Sequence, residues 1–165
     1  MKLFYSKTSP YARKVLVTAM EKGLCGQLDL VVCDPHGLDE ELLAVNPLHR
    51  VPTLVREDGP ALYDSPVICE WLDAQAETPQ LIPPAGPERW AVLKGQALAD
   101  GIMDDAVANV MESRRPEGRQ SLEQTAVRTE ALLRSARTLE SDLSGWPDSL
   151  NLAHIAAGCA LAYLD

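Results

Sequence analysis

The alternation of hydrophobic and polar positions divides this chain into two regions of different structural class. In the first region, apolar runs at 2–5 (KLFY) and 28–33 (LDLVVC) predict two strands, the second of them buried. Between them, apolar residues recur at helical spacing from Ser9 until Gly23 ends the helix. The chain therefore begins with a strand, a helix and a second strand, an arrangement that requires the two strands to be parallel.

The remainder of the first region adds a short helix, a hairpin and a longer helix. Residues 38–45 (LDEELLAV) predict the short helix, while 51–55 (VPTLV) and 59–63 (GPALY) predict two antiparallel strands joined by the turn at EDG. Residues 64–75 (DSPVICEWLDAQ) return to a helical pattern. The order β-α-β-α-β-β-α predicts a mixed sheet flanked by helices.

A linker and then a purely helical region make up the chain from Glu77 onward. Residues 77–88 (ETPQLIPPAGPE) are rich in proline and glycine and show no periodicity, which is typical of a linker. Apolar residues then recur at i, i+3 and i+4 over 89–113, over 122–143 and from Asn151 onward, which predicts three helices. We therefore predict an α/β domain over 1–77, a linker over 78–87 and an all-helical domain over 88–165.

Composition and charge narrow the function classes. Hydrophobic residues make up 46% of the 165 positions, which is enough for one large domain or two small ones. The formal net charge of −9 argues against a nucleic-acid or anionic-membrane surface, because phosphate binding draws on clustered Lys and Arg. The start, MKLFYSK, lacks the apolar core of a signal peptide, so we expect a cytoplasmic protein without a membrane segment.

The four cysteines do not indicate a metal centre or a redox centre. Cys25, Cys33, Cys69 and Cys159 form no C-x-x-C pair and have apolar neighbours. We therefore predict four buried, reduced thiols and no bound metal.

The first candidate site is the strand–helix joint TSPYARKV. Ser9 followed by Pro10 suits the N-cap and N1 positions of a helix, because the serine oxygen accepts a free backbone N–H and proline offers none. The same hydroxyl stands at the positive end of that helix and at the carboxyl end of the first strand, where α/β sheets place ligands. There it could donate a hydrogen bond to a bound thiolate. The residues alone leave both roles open.

Two further joints offer complementary contacts. In NPLHRVPTL, Val51 precedes Pro52 at a strand entry, where a cis bond would turn the Val51 backbone toward an extended, peptide-like ligand. An ordinary strand-entry proline is the alternative. In YDSPVICEWL, Ser65 and Pro66 suit the N-cap and N1 positions of the next helix. Free N–H groups there suit a carboxylate, and Asp64 suits an ammonium group, so this joint fits an amino-acid head group.

Taken in order, the segments TSPYARKV, NPLHRVPTL, YDSPVICEWLD, ALADGIMD and LNLAHIAAGCALAYLD resemble the short bacterial members of the glutathione S-transferase superfamily. The resemblance covers nearly all of the chain. It implies a thioredoxin-like N-terminal α/β domain, an all-α C-terminal domain of the transferase type, and a homodimer. The implied activity is that of a glutathione transferase, which binds glutathione, stabilises its thiolate and conjugates it to a small electrophile without a metal.

The resemblance assigns the sulfur and backbone contacts of glutathione to the first two joints. Ser9 would face the glutathione sulfur, with Tyr5 and Thr8 as the alternatives. Val51 would pair with the cysteinyl backbone of glutathione ahead of a cis Pro52.

The resemblance assigns the two ends of glutathione to other residues. Asp64 and Ser65 would bind the γ-glutamyl end. Arg50 and His36 would flank the glycine carboxylate.

Two departures from the family pattern carry expectations of their own. The late helix of the family usually begins with a Ser or Thr cap and an Asp three residues on. Here Asn151 and His154 hold those positions, which predicts a weakened capping box. Relatives also usually continue beyond position 165, so we expect a C-terminal domain that is incomplete relative to the family and an activity that this shortening impairs.

Two other functions compete with the transferase. The alternative function is a non-catalytic module of the same fold that binds glutathione or another protein. A thiol reductase would instead need cysteine at the position of Ser9, because serine cannot form a mixed disulfide.

Overall fold

The structure of the protein, a computed structural model, describes residues 1–34 and 37–165. They form two compact units, 1–84 and 85–165, whose boundary falls within the predicted linker. The first unit contains β1 (Lys2–Tyr5), α1 (Pro10–Glu21), β2 (Asp29–Val32), α2 (Glu40–Val45), β3 (Thr53–Val55) and α3 (Ser65–Asp73), with a single 3₁₀ turn (Cys25–Gln27) before β2. The second unit contains α4 (Gly86–Ser113), α5 (Leu122–Leu143) and α6 (Leu152–Leu164).

The sheet of the first unit is mixed, as its sequence order predicts. The strand order is β2-β1-β3, with β1 parallel to β2 and antiparallel to β3. The register pairs Tyr5 with Val32 on one side of β1 and Phe4 with Thr53 on the other. The parallel β-α-β start is therefore confirmed, and β1 is the central strand.

The prediction that the second strand is buried is wrong. Leu30 is 46% exposed and Val32 is 55% exposed, although both belong to the apolar run. Leu30 and Val32 are two residues apart and point to the same face of the sheet, and at β2, the edge strand, the described residues leave that face largely uncovered. An apolar run of this length reports strand propensity, but the position of the strand in the sheet decides burial.

The predicted second strand of the hairpin is reduced to a single bridge. Leu54 and Leu62 exchange both backbone hydrogen bonds, at 3.0 and 2.8 Å. The ladder does not extend, because Pro60 lacks an N–H and the chain enters α3 at Ser65. The hairpin reversal is present, but its second arm is too short to form a regular strand.

The helices α1 and α3 of the first unit pack on each other and end at a buried ion pair. Lys22 Nζ donates to Asp73 Oδ1 at 2.9 Å and to the carbonyl oxygens of Ala76 and Pro79. The Asp73 carboxylate also accepts hydrogen bonds from the backbone N–H groups of Leu81 and Ile82, both at 2.9 Å. The pair therefore ties the ends of both helices to the segment 76–82.

The second unit is built around close approach of α4 to α6. Gly95 of α4 is buried, and a Cβ added to it would lie 2.7 Å from Ala153 Cβ and 2.8 Å from Trp146 Cζ2. Real Cβ atoms are not found at such distances, so the absence of a side chain at position 95 permits this packing.

Gly95→Ala is therefore expected to lower the free energy of unfolding by about 1–2 kcal/mol, because overpacking outweighs the gain in helix propensity. The matched control is Gly101→Ala in the same helix, where an added Cβ meets nothing within 4 Å. That variant is expected to raise the free energy of unfolding by up to about 1 kcal/mol. Urea unfolding of both variants measures the difference. Equal and stabilising effects would show that α4 and α6 are not in close contact at Gly95.

The predicted weakening of the capping box at α6 is wrong. Asn151 Oδ1 accepts hydrogen bonds from the N–H groups of Ala153 and His154, and His154 Nδ1 accepts one from the Asn151 N–H at 3.3 Å. A neutral imidazole carries one unprotonated nitrogen, so it can serve as the reciprocal acceptor that the box requires. The His154 ring also packs edge-on against Trp146, with ring centroids 4.9 Å apart.

This capping arrangement predicts a dependence of stability on pH. Burial lowers the pKa of His154 below its ordinary value, so the unfolded chain binds protons there more strongly than the folded chain. The stabilisation is therefore complete above about pH 6.5 and is lost as the pH falls through that value toward the lower folded pKa.

His154→Gln supplies the control, because glutamine keeps an acceptor at the third helical position and does not titrate. Between about pH 7.5 and about pH 5.5, the wild-type free energy of unfolding is expected to fall more than that of His154→Gln. Parallel pH profiles for the two proteins would contradict a neutral His154 in the cap.

Cys25 departs from the predicted burial of the four cysteines. Cys33, Cys69 and Cys159 are buried, whereas Cys25 is exposed in the 3₁₀ turn before β2. The turn has no buried residue, so its apolar neighbours in the sequence do not cover it. No disulfide forms among these four thiols.

Candidate functional site

The strand register brings the first two joints to one edge of the sheet. Phe4 pairs with Thr53 in the antiparallel ladder, so the same register places Tyr5 beside Pro52. Beyond Tyr5 the chain turns into α1 through Ser9. The carboxyl end of β1 and the entry to β3 therefore meet at the same place.

The third joint reaches the same edge through the bridge to β3. Leu62 pairs antiparallel with Leu54, so the chain that follows Leu62 runs back in the direction of Pro52 and reaches Asp64 two residues later. α3 begins there, at Ser65. All three joints thus lie at the carboxyl-end edge of β1, although they are far apart in the sequence.

Ser9 is the N-cap of α1 and retains a free donor. Its Oγ accepts a hydrogen bond from the Ala12 N–H at 3.2 Å, and its backbone is extended, as N-cap residues require. Accepting that bond uses an oxygen lone pair and leaves the hydroxyl hydrogen free. Within the described residues, that hydrogen has no acceptor. Capping and donation to a ligand are therefore compatible roles of one side chain.

The two alternatives for the sulfur contact are placed less favourably. Thr8 is exposed, and its Oγ1 lies 3.2 Å from Ser6 Oγ, so the two hydroxyl groups already pair. Tyr5 is the last residue of β1, and its backbone carbonyl accepts a hydrogen bond from the Cys33 N–H at 3.0 Å. Neither residue is the N-cap of α1, whose N-terminus favours an anion through the helix dipole.

Val51 presents an unpaired backbone beside a packed side chain. The Val51–Pro52 peptide bond is cis. The Val51 side chain packs on the cluster of Phe4, Cys33 and Leu42. Its own N–H and C=O make no hydrogen bond with any residue that the structure describes. A polar backbone at a sheet edge with free hydrogen-bonding groups can pair with an extended ligand.

The start of α3 differs in one position from the sequence prediction. Asp64, and not Ser65, is the N-cap, and its side chain makes no capping hydrogen bond. Ser65 is the first helical residue, because proline at the following position suits the first turn equally well. Ser65 is 2% exposed, and its hydroxyl makes no hydrogen bond with residues 1–34 or 37–165. The exposed Asp64 carboxylate stands next to it.

The residues assigned to the glycine end of glutathione are placed in part. Arg50 is exposed, and within the described part of the chain its guanidinium has no hydrogen-bond or ion-pair partner. His36 lies outside the described residues. Arg50 immediately precedes Val51 in the chain.

Cys33 lies near the site without supplying a second thiolate. It follows β2 and packs with Phe4 and Leu42. Burial raises the pKa of its thiol, and the neighbouring carboxylates of Asp39 and Asp34 raise it further. The thiol therefore stays protonated near neutral pH.

The sequence interpretation did not include the polar residues behind Val51. Asn46 and Thr53 are fully buried and hydrogen-bonded to each other at 2.8 Å. A threonine at the first position of a strand and an asparagine after a short helix are common, so their types alone carry no signal. A signal for the pair is their arrangement in the sequence: Asn46 lies before Val51–Pro52 and Thr53 lies after it, seven positions apart.

Two kinds of site are not found in the described residues. No group of three or more His, Cys, Asp or Glu side chains there is placed to hold a metal ion. None of the helices in 1–34 and 37–165 has the length and apolar character needed to cross a membrane.

Comparisons with known proteins identify the family of this chain. A family model described as the glutathione S-transferase N-terminal domain matches residues 8–75. The chain is 38% identical over 168 residues to the uncharacterized GST-like protein YibF of Escherichia coli K12, covering 100% of this chain and 82% of that protein.

Two solved structures extend the comparison. A glutathione S-transferase of Methylobacillus flagellatus KT, crystallised with glutathione bound, is 44% identical, with a TM-score of 0.91 over 99% of this chain and 82% of that one. A glutathione transferase family member of Pseudomonas fluorescens Pf-5, also with bound glutathione, is 35% identical, with a TM-score of 0.94 over the same shares.

The predicted fold class, a thioredoxin-like α/β domain followed by an all-α transferase-type domain, is confirmed by these matches. The match to YibF spans the whole chain, and the family model covers the segment that contains all three joints. This chain belongs to the glutathione S-transferase superfamily.

Proposed function

We propose that this protein is a glutathione transferase that binds glutathione at the edge formed by the three joints, stabilises its thiolate and conjugates it to a small electrophile. The observation that carries the proposal is the set of unused hydrogen-bonding groups at that edge. Within the described chain, the Ser9 hydroxyl hydrogen, the Val51 backbone and the Ser65 hydroxyl all lack partners, and the pairing of β3 with β1 and with Leu62 supports a common site for them.

Each unused group matches one part of glutathione. The Ser9 hydroxyl would donate to the sulfur, and the Val51 N–H and C=O would pair with the cysteinyl backbone as a neighbouring strand does. The Ser65 hydroxyl and the free N–H groups at the start of α3 would donate hydrogen bonds to the γ-glutamyl carboxylate, while the Asp64 carboxylate would accept hydrogen bonds from its ammonium group. Arg50 would approach the glycine carboxylate.

The chemistry required of the protein is to favour thiolate over thiol. A hydroxyl donor and the positive end of α1 both stabilise a negative sulfur more than a neutral one, so the pKa of the bound thiol falls. Thiolate is the nucleophile, so its population at neutral pH rises, and binding also brings it into position for attack. The thiol releases its proton to solvent. In a substitution, the carbon–sulfur bond forms as the leaving group departs with its electron pair; in an addition, the carbon–sulfur bond forms first and the resulting anion then takes up a proton from solvent.

Isothermal titration calorimetry with glutathione tests the binding part of the proposal. Saturable binding, with ultraviolet absorbance showing a thiol pKa below that of free glutathione, would support the transferase. Binding without a lowered pKa would contradict thiolate stabilisation and favour the non-catalytic module. No binding would overturn the proposal as a whole.

The same proposal includes a cytoplasmic location and a homodimer. Both are expected of a transferase of this family that uses the cellular glutathione pool. Sedimentation velocity of the purified protein tests the dimer, and a monomer at micromolar concentration would contradict it.

A further inference from the structure

The Arg50–Val51 peptide is held by a buried polar network that the glutathione contacts do not include. The Arg50 carbonyl oxygen accepts hydrogen bonds from Asn46 Nδ2 at 3.1 Å and from Thr53 Oγ1 at 2.8 Å. Asn46 and Thr53 are both 0% exposed, so this carbonyl is directed toward the interior. Arg50 is exposed as a residue, but its backbone carbonyl is bound by two buried side chains.

The side-chain polar groups of Asn46 and Thr53 are all hydrogen-bonded within the protein. Asn46 Nδ2 donates to Thr53 Oγ1 at 2.8 Å as well as to Arg50, and Asn46 Oδ1 accepts from the Leu48 N–H at 2.9 Å. The Asn46 backbone N–H caps the end of α2 by donating to the Leu42 carbonyl at 2.8 Å. Thr53 begins β3 and is fixed by its pairing with Phe4. The network therefore connects two rigid elements across the bend at Val51.

The geometry of the peptide unit transmits this restraint to Val51. The Arg50–Val51 bond is trans, so its carbonyl and its N–H lie in one plane and point in opposite directions. Since the Arg50 carbonyl points inward to Asn46 and Thr53, the Val51 N–H points away from them. This is the donor for which the described residues supply no acceptor.

We infer that Asn46 and Thr53 are positioning residues, which orient the Val51 N–H toward the cysteinyl carbonyl of glutathione before the ligand arrives. The inference rests on the proposed function. It adds that affinity for glutathione depends on a buried threonine hydroxyl that does not touch the ligand. A donor fixed before binding loses less conformational freedom when the ligand binds, which strengthens binding.

Thr53→Val tests the inference, because valine has nearly the shape of threonine and removes both hydrogen bonds of its hydroxyl. The dissociation constant for glutathione, measured by calorimetry, is expected to rise about tenfold. Thr53→Ser restores the hydroxyl and is expected to bind within about twofold of the wild-type protein.

A second control separates positioning from stability. Val55 lies in the same strand and packs on the same cluster of Phe4, Cys33 and Leu42, but it is not part of the polar network. Val55→Ala is expected to lower the melting temperature and to leave the glutathione dissociation constant within about twofold of the wild-type value.

Hydrogen exchange of the Val51 amide, followed by nuclear magnetic resonance, gives the specific readout. In the wild-type protein it is expected to be fast without ligand and slowed by saturating glutathione. In Thr53→Val the slowing is expected to be smaller at saturation, although the protein remains folded.

The outcomes separate the two proposals. Wild-type binding together with an unchanged dissociation constant and an unchanged Val51 protection in Thr53→Val would overturn the positioning role and leave the proposed function in place. Equal weakening in Thr53→Val and Val55→Ala would also overturn it, because stability alone would then explain the loss. Failure of the wild-type protein to bind glutathione would overturn the proposed function and the inference that rests on it.

Discussion

Replacing Ser9 with alanine is expected to lower kcat/KM for glutathione conjugation by about 10²-fold or more. Under the proposed function, the substitution removes the hydroxyl that would donate to the negatively charged sulfur of bound glutathione. The pKa of the bound thiol is expected to rise toward the value in free glutathione, which ultraviolet titration of the complex measures directly. Because both quantities report the same donor, they should change together.

Alanine also removes the helix cap, so its effect needs to be divided between capping and chemistry. Loss of the Ser9–Ala12 hydrogen bond is expected to cost about 1 kcal/mol of stability. Ser9→Gly is expected to lower the free energy of unfolding by only about 0.3 kcal/mol, although glycine also lacks the hydroxyl. Threonine keeps both the cap and the donor.

We therefore expect Ser9→Thr to have a kcat/KM close to that of the wild-type protein. Ser9→Gly and Ser9→Ala are expected to have similar values, both far lower. If Ser9→Gly retained full activity and thiol ionisation, Ser9 would be a cap alone. Matching losses in Tyr5→Phe or Thr8→Val would then identify the donor.

The second large effect concerns the buried ion pair at the end of α1. Lys22→Met is expected to lower the free energy of unfolding by about 3–5 kcal/mol. The Lys22 side chain is 0% exposed and that of Asp73 is 10% exposed, so removing the cation leaves a carboxylate in a poorly solvated place. The substitution also leaves the carbonyl groups of Ala76 and Pro79 without their shared donor.

Lys94→Met is the matched control for this effect. Lys94 Nζ lies 2.9 Å from Asp142 Oδ2, the same separation as in the buried pair, but the Lys94 side chain is 68% exposed. Its removal is expected to change stability by no more than about 1 kcal/mol, because water already screens the two charges. Urea unfolding followed by circular dichroism measures both variants. Equal small effects would mean that the network around Asp73 tolerates the loss of its cation.

Helix positions were predictable because their signals are local. The predicted span 122–143 coincides with α5, Ser9 caps α1 and Asn151 caps α6, as their residue types indicate. Periodicity and capping depend on residues within four positions of each other, so the sequence contains all the information that they need. The same holds for the mixed sheet, since a β-α-β start restricts the first two strands to a parallel pair.

Burial and pairing were predicted less well because they depend on distant segments. The sequence does not indicate that β2 is an edge strand, that Cys25 lies in an exposed turn or that Pro60 ends a ladder after one bridge. The family pattern predicts aspartate at the position of His154. Burial lowers the pKa of His154, so the ring is neutral, packs against Trp146 and can accept the hydrogen bond of the capping box.

For the candidate site, the sequence by itself determined the residue types at three joints and the local reason for each, a cap or a strand entry. The tertiary structure alone decided that these joints share one edge, since register between β1 and β3 and the bridge at Leu54 bring them together. It also decided which groups are left unpaired and which way the Val51 N–H points. Hydrogen bonds formed elsewhere in the fold determine which groups are unpaired and how the Val51 N–H is oriented. A donor is available to a ligand only when the fold leaves it without a partner.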